Sequence, residues 1–175
     1  MDIQTRTDFT RALMTRDRKS VARNREVKKL VFDEDSFDQL FMLLFHHQAS
    51  LVTRSAEAVD KISKQNPGYL IPHKQQIFAM LKSGDYHALK SLLAKLSVRI
   101  IWDAEELDEV WRILVYWTMN PNENKNIRVN ALQALFDLAQ KDDALQVSFE
   151  DLAETLKFQH APSLEARLKK LKILA

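Results

Sequence analysis

The sequence predicts an all-α protein, and three observations carry that reading. Only two glycines and four prolines occur in 175 residues, so the tight turns and bulges that sheets require are scarcely provided for. Break signals recur at short intervals, at "QNPG" (65–68), "KSGD" (82–85), "MNPNEN" (119–124), "KDDA" (141–144) and "HAP" (160–162). Between them apolar residues return every three or four positions, the period of a helix with one buried face.

Taken in order, residues 1–34 form a basic helical segment, with nine Arg/Lys against four Asp/Glu in the first 30 positions. Such an end could approach phosphates or an acidic partner, or simply solvate a helix face. "DSFDQLFMLLFHH" (35–47) puts Phe37, Leu40, Phe41 and Leu44 on one stripe, with Asp35 or Ser36 as N-cap. "LVTRSAEAVDKISKQ" follows with Leu51, Ser55, Ala58, Val59 and Ile62. "YLIPHKQQIFAMLKS" presents Ile77, Met80 and Leu81, and "DYHALKSLLAKLSVRII" presents Tyr86, Leu89, Leu93, Leu96 and Ile100. In "DAEELDEVWRILVYWTM", Asp103 and Glu106 have capping-box spacing, so each can bond a free backbone N–H of the first turn. Apolar residues then run nearly all round that helix, which must be covered on more than one side. "NKNIRVNALQALFDLAQ" (124–140) turns Ile127, Ala131, Ala134, Leu135 and Leu138 inward, and "SFEDLAETLKF" and "SLEARLKKLKIL" close the chain. Connections of a few residues favour antiparallel neighbours, in a compact bundle or a stack of helix pairs. In either, 36–47 is expected to pack on 51–66 and 103–119 on 124–140.

A repeat test bears on the choice. "SAEAVDKI" (55–62) aligned with "ALQALFDL" (131–138) superposes Ala58 on Ala134, Val59 on Leu135 and Ile62 on Leu138. Two repeats of about 38 residues would give that offset. "IRVNALQALFDLA" resembles the second helix of a HEAT repeat, where a branched residue and an arginine open the helix, small residues follow and a leucine ends the core stripe. "LVTRSAEAVDKISKQNPGYLIPH" resembles such a helix with its link to the next repeat, and "APSLEARLKKLKIL" resembles a terminal repeat. The likeness to the HEAT/armadillo family covers roughly residues 35–175. It implies a right-handed α-α superhelix of about four helix pairs, close helix approach at Ala131 and Ala134, and a structural ladder role for Arg128 beside Asn122 and Asn124.

Several kinds of chemistry lose their footing. Without cysteine there is no disulfide, thiolate zinc site or cysteine nucleophile, and a reducing, cytoplasmic setting is expected. The most apolar run, "VWRILVYWTM", is about half a membrane span and carries Arg112, so no membrane association is expected. His46 and His47 would diverge by about 100° on a helix, which argues against a shared metal ion, and His73 is expected to cap or pack at a helix entry. The acids of 103–109 serve as a helix start, without the glycine-centred loop of a calcium site. No phosphate-cradling loop or nucleophile elbow occurs, so no catalytic residue and no cofactor is assigned. Trp111 and Trp117 lie in the most apolar helix and are expected in the core rather than as base-stacking platforms.

The expected function is a non-enzymatic interaction or scaffold module that binds a protein or peptide on its second-helix face. The alternative is a nucleic-acid binding or DNA-repair protein of the HEAT-like glycosylase class; regulation of an enzyme is a third reading. On the helix over 124–140 the outer residues Val129, Gln133, Phe136 and Gln140 are the candidate patch, rimmed by Arg54, Glu57 and Lys61 of the neighbouring second helix. Phe136 is either covered by another helix or an anchor for the partner.

Overall fold

A computed structural model describes residues 3–14 and 26–173, and side chains from residue 8 onward within those ranges. The centre of the basic N-terminal stretch, residues 15–25, lies outside the described residues. Every regular element described is helical: α1 (Ile3–Met14), α2 (Glu34–Met42), α3 (Ala49–Gln65), α4 (Lys74–Ser83), α5 (Lys90–Ser97), α6 (Ala104–Met119), α7 (Lys125–Ala139), α8 (Asp143–Lys157) and α9 (Pro162–Lys170). Residues 26–30 are helical as well. Short 3-10 turns occupy Leu43–Phe45, Pro67–His73 and His87–Leu89. The chain divides into two compact units, residues 1–74 and 75–175.

In the first unit α1 packs on α2 and α3, and α2 with its following 3-10 turn packs on α3. Phe9, Leu13, Val27, Phe37, Leu40, Phe41, Leu51 and Val59 are fully buried among these elements. The cap of α2 is Asp33, not Asp35 or Ser36: its carboxylate accepts from the Ser36 N–H at 2.9 Å, and Ser36 Oγ accepts from the Asp33 N–H at 3.1 Å. The helix begins before the apolar stripe does, because capping needs a polar residue one turn upstream of the first buried side chain.

Two further boundaries differ from the expectation. The ring of Pro72 would clash with the carbonyl four residues back in an α-helix; residues 67–73 wind as a 3-10 turn instead, and α4 proper begins at Lys74. The helix expected to reach residue 47 ends at Met42, with a 3-10 turn to Phe45. His46 and His47 therefore stand outside it, and their rings stack at 4.1 Å rather than diverging. His73 packs as expected at the entry to α4: its ring lies on Phe41 at 3.9 Å and 17°, with Nε2 2.7 Å from Asp38 Oδ1.

The second unit is built round α7, which contacts α5, α6, α8 and α9. Thus the segment 103–119 packs on 124–140 as its periodicity predicts. α6 opens with the expected capping box, Asp103 Oδ1 accepting from the Glu106 N–H at 2.9 Å and Glu106 Oε2 from the Asp103 N–H at 3.1 Å. Trp111 and Trp117 are buried on its inner sides, while Tyr116 is exposed and Arg112 pairs with Asp108 and Glu109 at the surface. α4 stops at Gly84, whose φ of +68° is the left-handed conformation that ends a helix without a Cβ clash.

Candidate functional site

The expected site centres on α7. Asn124 starts this helix, its side chain accepting from the Asn126 N–H at 2.8 Å. Ile127, Ala131, Ala134, Leu135 and Leu138 are all buried, with Ala131 at 0% and Ala134 at 2% exposure, so a larger side chain would have no room at either alanine. Arg128 is buried beside them. Its Nε donates to the Thr118 carbonyl at the end of α6 at 2.9 Å, and its Nη2 donates to Gln159 Oε1 at 2.8 Å. One guanidinium thus ties the ends of α6 and α8 to the first turn of α7.

The opposite side of α7 is less open than periodicity implies. Phe136 is half-buried, its ring edge-on to Phe149 of α8 at 5.6 Å and 65°. Gln133 is half-buried too: Oε1 accepts from Arg167 of α9 at 2.9 Å and Nε2 donates to Asp137 at 2.8 Å. Val129 is half-buried, and of the four only Gln140, at the helix end, is exposed. Of the two alternatives for these four positions, cover by another helix or a free patch, the side is partly covered, with α8 and α9 both against α7.

Of the expected rim, Arg54 is half-buried and donates to the Leu13 carbonyl at 2.8 Å, satisfying one free acceptor of α1's last turn. Glu57 and Lys61 are exposed on α3. These three belong to the first unit, and the four on α7 to the second.

No family model, curated protein or solved structure matches this chain. What the site can do is set by its own geometry.

Two polar arrangements carry no sequence-level signal. Lys90, at the start of α5, is buried; its Nζ lies 2.5 Å from Glu123 Oε2 and 5.3 Å from the centre of the Trp117 ring. Burial pushes the Glu123 carboxyl upward, but hydrogen bonds from Lys90 and the Asn124 N–H, with the charges of Lys90 and His87, outweigh it and hold the group below its ordinary value. An ammonium paired with a carboxylate has no lone pair to offer a substrate. The pair anchors the loop between α6 and α7. The second arrangement links alternate helices: Arg167 of α9 reaches Gln133 of α7, and Lys141, just past α7, donates to the Val98 carbonyl just past α5 at 2.6 Å. Among the described residues no group of three His, Asp or Glu side chains could hold a metal ion, and no helix is long and apolar enough to cross a membrane.

Proposed function

We propose that the chain is a non-enzymatic protein-interaction module of the HEAT-like helical-repeat kind, binding a protein or peptide along a layer of second helices. The observation that carries this reading is the neighbourhood of α7, which touches the helices two positions before and after it, α5 and α9, as well as its chain neighbours α6 and α8. A stack of helix pairs would align alternate helices in one layer in this way. Polar side chains bridging alternate helices, Arg167 to Gln133 and Lys141 to Val98, support the same arrangement.

A layer of this kind offers the exposed Gln140 and, in part, Val129, Gln133 and Asp137. Amide and carboxylate groups at helical spacing suit the backbone N–H and C=O groups of an extended segment, with Val129 as a small apolar contact. The cysteine-free composition supports a cytoplasmic setting.

The test is affinity capture from the native cell, with and without nuclease, comparing the natural chain with Val129→Thr/Gln140→Arg. Val129→Thr keeps the side-chain shape, and an arginine at a helix C-terminus is electrostatically favourable, so the melting temperature should hold. A captured protein that survives nuclease and is lost with the variant supports the reading. Capture abolished by nuclease would assign the surface to nucleic acid instead.

A further inference from the structure

The outward side of α8 has a composition that solvation does not require. Its inward side is set by the buried residues Phe149, Leu152, Ala153 and Leu156, where it meets α7 and α9. At about 100° per residue, Val147 stands directly opposite their mean direction, and Asp151, Glu154 and Phe158 fall within about 40° of it. Phe158 is the C-cap residue of this helix, its backbone right-handed at φ −86° and ψ −7°, so its side chain follows directly on the last turn. Val147 is 62% and Phe158 80% exposed. Three turns, about 16–17 Å, separate these two apolar side chains along the axis.

Between them the surface is anionic. Glu150, Asp151 and Glu154 are all exposed, whereas the helix carries one cation, Lys157, which pairs with Glu154. This contrasts with a chain whose formal charge is +2. Two apolar anchors flanking carboxylates match one kind of partner: a helix with two apolar side chains three turns apart and lysine or arginine between them. An anionic lipid surface or nucleic acid would be repelled by the same carboxylates, and a wholly apolar partner would leave them desolvated without compensation.

We propose that the outward stripe of α8 docks a cationic amphipathic helix from a partner protein, Val147 and Phe158 receiving its apolar side chains and Asp151 and Glu154 its basic ones. This surface is on a different helix from the α7 layer, and it stands whether or not that layer binds anything.

The test uses the full chain and three synthetic helical peptides: one with two leucines three turns apart and lysines between, one with glutamates for the lysines, and one with serines for the leucines. Titration calorimetry should detect only the first, with affinity falling as salt rises. Val147→Ser/Phe158→Ser and Asp151→Asn/Glu154→Gln should each weaken it about tenfold or more, with unchanged melting temperatures. Equal binding of the glutamate or the serine peptide overturns the proposal, as does unchanged affinity in either variant. A marked fall in melting temperature for the Val147/Phe158 variant would show that the fold itself covers the stripe. A dimer that this variant converts to monomer, with no peptide binding, would assign the stripe to a second copy of the chain and equally overturn it.

Discussion

Buried at the start of α7, the Arg128 guanidinium donates to a main-chain carbonyl and to a side-chain amide from two of its nitrogens. Arg128→Met keeps much of the apolar stem but leaves Thr118 O and Gln159 Oε1 without this donor. Urea unfolding is expected to show a loss of about 2–3 kcal/mol, with Arg128→Lys recovering only part, since one ammonium cannot span both acceptors. Glu123 offers a pH-dependent counterpart. Its carboxyl is held below the ordinary value in the folded chain, so its contribution is full above the unfolded value and is lost as pH falls through the lower, folded one. Asp33, lowered by hydrogen bonds from the Ser36 hydroxyl and N–H, acts in the same direction. Stability measured across the acid range should therefore fall less steeply for Glu123→Gln than for the natural chain. An identical slope would mean that the Lys90 pair contributes nothing to it. At Ala131 and Ala134, leucine should overpack the interior and cost about 1–3 kcal/mol; unchanged melting for both would show that the helices can move apart there.

Among the elements, α2 and α6 each start with a reciprocal capping box, while α3 starts without a side-chain cap. Asp103→Ala should cost about 0.5–2 kcal/mol, measurable by thermal melting, and Asp103→Asn should recover most of it, because an amide oxygen can still accept from the Glu106 N–H. Between the last turn of α7 and the middle of α8, the Phe136–Phe149 edge contact makes a different demand. Phe136→Ala removes an aromatic pair, itself contributing about 0.5–1.5 kcal/mol beyond area burial, so a clear drop in melting temperature is expected. Full stability in that variant would return Phe136 to the list of partner anchors.

For the molecule as a whole, each of the two units has its own buried residues and its own internal packing. Residues 75–175 expressed alone are therefore expected to give a helical circular dichroism spectrum and a single cooperative melt. A broad, non-cooperative transition would show that the second unit depends on the first for its fold.

The sequence by itself determined the helical class, the cap of α6 and the inward side of α7, from Ile127 to Leu138. Those features are local: a buried stripe or a cap needs only residues three or four positions apart, and that spacing is written directly in the chain. It also placed Trp111 and Trp117 in the interior, because a helix apolar on nearly every side leaves them nowhere else. Only the tertiary structure decided that Arg128 meets Gln159, that Lys90 meets Glu123, that Arg54 closes α1, and that Phe136 rests against Phe149. Periodicity says which side of a helix is apolar but not which helices lie against it. A half-polar side such as Val129–Gln140 reads the same whether solvent, another helix or a partner covers it. Its partial burial follows from the packing of α8 and α9 against α7, which is a property of contact between elements rather than of any one of them.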